Sequence, residues 1–158
     1  MMAAMVTLAT PATPRFSDAR AMRVADFYET LTPATLTQLP AVYADDARFI
    51  DPFNDVSGQA AIRRVFEHMQ ATLHSARFEV LEATTEADRC FMLWDFHLRR
   101  RPTSAPMIIH GASRLQFAAD GRVALHRDYW DSGHQLYQRL PLLGLVLRSL
   151  RRRLSAGG

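Results

Sequence analysis

Tyr43-Ala44-Asp45-Asp46-Ala47-Arg48-Phe49-Ile50-Asp51-Pro52, then Phe53-Asn54-Asp55-Val56-Ser57 and Gly58-Gln59-Ala60-Ala61-Ile62-Arg63, is the stretch on which the fold turns. Asp45-Asp46 break the helical pattern that precedes them. Ala47 to Asp51 then alternates as a short strand, with Phe49 and Asp51 on one face and Arg48 and Ile50 on the other. Asp51-Pro52-Phe53-Asn54-Asp55 has the chemistry of a turn, because proline pushes the residue before it out of the helical region and Asx side chains bond to nearby backbone amides. Ser57 is the expected cap of a helix running to about Leu73, with Ile62, Val65, Phe66 and Met69 as its buried stripe.

Upstream of this stretch the period is helical. Ser17 or Asp18 caps a helix to about Leu31, which places Met22, Ala25, Phe27 or Tyr28, and Leu31 on one side. Thr32-Pro33 restarts the chain as a second helix carrying Leu36, Leu39, Val42 and Tyr43, bent or shortened at Pro40. Downstream the period falls to two. Arg77 to Thr85, Arg89 to Arg100, Pro106 to Phe117 and Arg122 to Asp131 read as four strands, with Ala119-Asp120-Gly121 as a hairpin turn. Three helices and a short strand followed by an antiparallel meander predict an α+β fold, the helices covering one face of a curved sheet. Residues 1–16 are expected to be a disordered tail rich in Ala, Thr and Pro, residues 17–135 the domain, and residues 136–158 a basic amphipathic helix interrupted near Pro141 and Gly144.

Composition narrows the function. The 158 residues suffice for one domain with a proper core, 48% of them being apolar. The single cysteine, Cys90, excludes an internal disulfide framework and a cysteine-rich zinc site, and is read as a small buried hydrophobe. His68, His74, His97, His110, His126 and His134 are scattered without ligand spacing, and no Gly-rich phosphate loop or nucleophile elbow occurs, so neither metal nor cofactor is expected. All nineteen basic residues are Arg. Five of them, Arg139, Arg148, Arg151, Arg152 and Arg153, fall in residues 132–158, where there is no acid, and without them the formal charge goes from +3 to −2. The basicity therefore belongs to the C-terminal segment, which argues against a nucleic-acid-binding body. Ala3 to Ala9 is too short an apolar run for a secretory signal, and a cytoplasmic location is expected.

The run from Tyr43 to Pro52, with Gly58-Gln59-Ala60-Ala61-Ile62-Arg63 after it, resembles the signature of the ketosteroid isomerases, within the superfamily of nuclear transport factor 2 and the SnoaL-like polyketide cyclases. The resemblance spans roughly residues 20–135 and is more specific for fold than for activity. It implies a cone-shaped curved antiparallel sheet wrapped around the helices, a deep apolar pocket between sheet and helices, and a homodimer. Position by position it implies that Asp51 is the general base. The isomerase oxyanion donors are not kept: Phe27 stands at the Tyr position with Tyr28 one residue off, and Ser113 at the position of a protonated Asp. Losing one such donor costs ~10²–10³ in rate, so true steroid isomerisation is not expected.

Strand alternation predicts the lining of the pocket. Cys90, Met92, Trp94, Phe96 and Leu98 form one inner face, and Ile109, Gly111, Ser113, Leu115 and Phe117 the next, with Arg114 and Gln116 outward toward a partner subunit. His126, Asp128 and Trp130 point in from the last strand; Arg127, Tyr129 and Asp131 point out. The resemblance to SnoaL-like cyclases likewise implies an acid–base Asp on the late strands. The candidate catalytic set is therefore Asp51, Asp128 and His126. Trp94, Phe96, Ser113, Trp130, Tyr28 and Phe53 are the candidate ligand contacts. Paired carboxylates push their ionisation apart and give one acid and one base; His126 can relay a proton or orient Asp128. The competing readings are structural: Asp51 capping its own turn, Asp128 in a salt bridge with Arg127 or an Arg of the tail, His126 as a packing histidine.

Two functions stay open on these residues. One is cofactor-independent acid–base catalysis on an apolar small molecule, of isomerase, cyclase, dehydratase or epoxide-hydrolase type. The other is a non-catalytic carrier of a lipid or terpenoid. Its C-terminal Leu and Arg residues either pack on the domain or a partner subunit, or lie on an anionic inner-membrane surface through Arg148, Arg151, Arg152 and Arg153.

Overall fold

The computed structural model describes residues 15–132 and Ser149. The expected C-terminal helix, its arginines and most of the expected N-terminal tail lie outside the described residues. Arg15 and Phe16, assigned to that tail, pack on the domain: Phe16 joins the core and Arg15 pairs with Glu29 at 2.7 Å.

Helix α1 runs Ala19–Glu29. Asp18 caps it, its carboxylate accepting from the backbone N–H groups of Arg20 and Ala21. Ala21, Val24, Ala25, Phe27 and Tyr28 are buried along it, so Phe27 and Tyr28 both face the core. The second helical stretch divides into a 3₁₀ turn, Thr35–Gln38, and a single α turn, α2, Leu39–Val42, with Pro40 in its first turn.

Strand β1 spans Tyr43–Ile50, four residues earlier than alternation predicts. Asp45 and Asp46 do not end an element; they lie in an irregular part of this strand, where its register slips between Tyr43 and Arg48. A short strand β2, Asp55–Ser57, pairs back on β1 with Arg48 opposite Ser57. Ser57 is therefore not the cap of α3, Gln59–Thr72. Gly58 holds that position at φ +85°, its N–H bonded to Ala47 O at 2.8 Å, a backbone conformation that glycine adopts without penalty. The switch from strand to helix needs this φ, and a side-chain cap is not used.

The meander follows as β3 His74–Glu86, β4 Arg89–Arg99, β5 Met107–Phe117 and β6 Val123–Tyr129. The curved, unclosed six-stranded sheet has the order β2-β1-β6-β5-β4-β3. All pairings are antiparallel except β1 with β6, which is parallel. Helix α1 packs on β3 and α3 on β1, so the helices cover the concave face, in the expected α+β cone. The core is continuous from Phe16 through the helices to the inner faces of β4 and β5, and Cys90 is buried in it. Among the described residues no helix is long and apolar enough to cross a membrane.

Candidate functional site

The last strand carries the center of the site. His126 is 1% exposed, and every polar group around it is partnered. Its Nε2 lies 2.7 Å from Asp128 Oδ1 and its Nδ1 2.8 Å from the Tyr43 hydroxyl. Tyr28 Oη lies 2.5 Å from Tyr43 Oη and 3.2 Å from His126 Nδ1. From the other side Trp94 Nε1–H donates to Ser113 Oγ at 2.8 Å, and Ser113 donates to Asp128 Oδ1 at 2.5 Å. The proton assignment that satisfies every group makes Nε2–H the donor to Asp128 and Nδ1 the acceptor from Tyr43, which accepts in turn from Tyr28. All donors then run toward one atom, Asp128 Oδ1.

Each contributor arrives by ordinary local structure. Alternation on β6 turns His126 and Asp128 to the same face, and the register opposite β5 sets Ser113 against Asp128. β4 brings Trp94 beside the same strand, opposite Gly111. Helical spacing delivers Tyr28 from α1, and Tyr43 opens β1. Phe49 tilts against the imidazole at 4.9 Å and Tyr43 stacks on it at 6.0 Å between centroids, so the ring is held on its faces as well as its nitrogens.

Burial pushes both phenols, Tyr28 and Tyr43, well above the ordinary tyrosine range, and the nearby Asp128 charge adds to it. Both stay neutral donors across the working pH range. A raised folded-state value means that the folded chain holds these protons more tightly than the unfolded chain. The stabilisation is complete below the unfolded value of ~10 and is lost as pH rises past it. The measurement is an alkaline titration followed in parallel by phenolate absorbance and by circular dichroism. Tyr28 and Tyr43 are expected to ionise only together with loss of structure, and Tyr43→Phe to remove one of those late events. Ionisation of all tyrosines in the folded state would contradict the buried chain.

Asp128 is the member of this chain that reaches open space. It lines a cavity of about 630 Å³ between the sheet and α3, with its side chain 14% exposed. The same cavity is lined by Asp51, Tyr28, Trp94, Phe96, Trp130 and Phe53, so seven of the nine residues picked from sequence meet there. His126 and Ser113 do not line it. Both hydrogen-bond Asp128, and Ser113 bridges Trp94 and Asp128, whereas it was expected as a ligand contact. Phe53 is 57% exposed and meets Trp130 edge-on at 5.6 Å, at the rim.

Asp51 faces the cavity but its oxygens are engaged. Oδ1 accepts from Phe53 N and Asn54 N at 2.7 Å, and Asn54 Nδ2 lies 3.0 and 2.9 Å from Oδ1 and Oδ2. The turn reading of this residue and its cavity position hold together. Asp128 is not paired with Arg127, whose guanidinium lies over the Tyr129 ring.

Sequence reasoning missed Tyr43, which it placed on a helix as a packing residue, and the polar side of α3. Arg64, His68 and Thr72 line the cavity at steps of four residues beside the apolar stripe, with Arg100 from the end of β4. The step of four was legible; that it faces the cavity was not. Among the described residues no group of three or more His, Cys, Asp or Glu side chains is arranged to hold a metal ion.

A cone-shaped sheet over three helices, with acids and aromatics facing the space between them, is the fold of nuclear transport factor 2-like proteins. Residues 24–126 match the SnoaL-like domain, and the chain belongs to that family. No curated protein sequence matches the chain. Among solved structures it is similar to a hypothetical protein of ketosteroid isomerase-like fold from Catenulispora acidiphila in complex with trimethylamine, with TM-score 0.64, 15% identity, and coverage of 75% of this chain and 89% of the other. It is also similar to an LEH-like epoxide hydrolase of M. tuberculosis, with TM-score 0.62, 19% identity, and coverage of 84% and 96%. A third is an NTF2-like protein of unknown function from Burkholderia pseudomallei, with TM-score 0.63, 16% identity, and coverage of 72% and 91%.

Proposed function

We propose that the protein performs cofactor-independent acid–base chemistry on an apolar small molecule, with Asp128 as the group that takes and returns the proton. The observation that carries this reading is the arrangement at Asp128: a carboxylate at the wall of an aromatic cavity, with one oxygen fixed by His126 Nε2–H and Ser113 Oγ–H. The other oxygen is left for the ligand. The step balances simply. A substrate C–H or O–H, or a water, loses its proton to the carboxylate, and the carboxylic acid returns it to a carbanion, an alkoxide or a leaving oxygen. His126 and Tyr43 are positioning residues in this scheme, because they act through Asp128. Asp51 is a second carboxylate facing the same cavity, and its engagement with Asn54 and the turn amides makes it the lesser contributor.

Trp94, Phe96 and Trp130 give flat apolar walls for the ligand body. The similarity to an epoxide hydrolase and to a ligand-bound neighbour supports small-molecule chemistry without fixing the reaction. Exposed Phe91, Leu93, Ile108 and Tyr129 on the outer sheet face suit a second copy of the chain, in line with the homodimer expectation.

The test is a panel of apolar epoxides and enolisable ketones incubated with the full-length protein in deuterated water. Conversion, or uptake of solvent deuterium at carbon, is the expected result. Tight binding of panel members without conversion or exchange favours the carrier reading, for which Asp51's commitment to its turn is the supporting observation.

A further inference from the structure

The cavity keeps its two signs of charge apart. Neither carboxylate that lines it pairs with an arginine among the described residues: Asp51 accepts from Asn54 and turn amides, and Asp128 from Ser113 and His126. Both arginines that line it, Arg64 and Arg100, have no ion pair or hydrogen bond among the described residues. Several other arginines of the domain are engaged, although the side chains of Arg89, Arg101 and Arg114 also show no ion pair or hydrogen bond among the described residues, so it is their place on the cavity that sets Arg64 and Arg100 apart. Arg15, Arg20, Arg48, Arg77 and Arg122 pair with acids. Arg63, next to Arg64 on α3, donates to Leu36 O.

The positions of the two unanswered cations follow from the fold. Arg64 and His68 are one turn apart on α3, and Thr72 is one turn further. Pairing of His74 with Arg99 brings the end of β4, and with it Arg100, to the C-terminal end of that helix. Arg64 and Arg100 are thus at opposite ends of a polar stripe whose helical part rises ~12 Å, at 1.5 Å per residue. Both are exposed, so they belong to the mouth, while Tyr28, Phe66 and Trp94 are buried and Asp128 is half-buried. A ligand that fits this distribution is apolar at the end that goes in and anionic at the end that stays out.

Resting on the small-molecule reading of this cavity, we infer that its ligand is an amphiphilic carboxylic acid. The apolar body lies on the aromatic walls and the carboxylate stays at the mouth, bound by one of the guanidiniums of Arg64 and Arg100 and attracted at longer range by the other. Guanidinium suits this role because it meets a carboxylate with two parallel N–H donors and stays charged at any working pH. The arrangement also fixes direction: with its head at the mouth, the ligand presents its far end, not its carboxylate, to Asp128. Like-charge repulsion between the head and Asp128 opposes the reverse entry.

The probe is cis-parinaric acid, compared with its methyl ester, by fluorescence titration of the full-length protein. The acid is expected to bind at least about tenfold more tightly, the size of one charge-assisted contact near 1.4 kcal/mol. Arg64→Gln and Arg100→Gln are each expected to narrow that gap. Arg114→Gln, outside the cavity on β5, is expected to leave it unchanged. Added salt is expected to weaken the acid and spare the ester. Equal affinity of acid and ester in the wild type overturns the anionic head and leaves the apolar pocket standing. A gap that persists in both cavity variants overturns the assignment to Arg64 and Arg100. Binding of neither probe overturns the pocket reading itself, and this inference with it.

Discussion

Asp128→Asn is expected to lower turnover by ~10²–10⁴, the usual worth of a positioned proton-transfer group, with binding and folding retained. The isosteric change separates chemistry from structure. An amide oxygen in place of Oδ1 still accepts from His126 Nε2–H and Ser113 Oγ–H, so neither buried donor is orphaned. What is lost is the atom that can accept a proton. Asp128→Ala is expected to behave differently. It leaves the His126 and Ser113 donors unsatisfied, which costs about 1–3 kcal/mol each, so it should depress stability as well as rate. Asp51→Asn is expected to cost less in turnover than Asp128→Asn, because its Oδ1 contacts to Phe53 N and Asn54 N survive in the amide. The measurement is kcat and KM for whichever panel compound is converted, together with the thermal midpoint of each variant. Full turnover in Asp128→Asn, or a larger loss in Asp51→Asn, would falsify the assignment and return Asp51 to the role that the Asp-Pro motif implies.

How far the sequence carried this depends on which physical signal was being read. Two-residue alternation sorted the sheet correctly because one face is buried and the other is not; Trp94, Phe96, Ile109, Ser113, Leu115 and His126 are all inside as predicted. Asp18 as a cap was legible for the same kind of reason, a local side chain answering a local amide. β2 was not legible, since three residues next to a proline turn leave no periodicity to detect. The parallel join of β1 to β6 was not either, because alternation reads faces and carries no information on strand direction. Tyr43 shows the limit most clearly. It sits within the quoted motif, yet its role is fixed by His126, 83 positions later, and nothing in the local pattern points across that distance. Asp51 is the reverse case: the motif singled it out, but its neighbour Asn54, three residues on, determines what its oxygens are free to do.

Gly111→Ala is expected to destabilise the domain by about 1–3 kcal/mol, the cost of overpacking a filled core, and to lower its thermal midpoint by several degrees. Gly111 faces inward on β5 directly opposite Trp94, whose indole lies across it. A Cβ built there would come to 2.2 Å from Trp94 Cη2 and 2.4 Å from Cζ2. The ring cannot yield cheaply. Its Nε1–H is bonded to Ser113, and Phe78 meets it edge-on at 5.6 Å. Displacing it therefore breaks the outermost link of the chain that ends on Asp128, and also reshapes the cavity wall, so ligand affinity should fall along with stability. The mechanism makes a second, sharper demand. If the collision with the indole is the cause, Trp94→Phe in the Gly111→Ala background should cost less than Trp94→Phe alone, because the smaller ring clears the methyl group; the two changes should be non-additive by more than about 0.5 kcal/mol, beyond what independent sites show. Additive losses would mean that the methyl group is accommodated elsewhere and that the indole is not pinned against the strand. An unchanged midpoint in the single variant would mean that the close approach of Trp94 to Gly111 does not define this wall of the cavity.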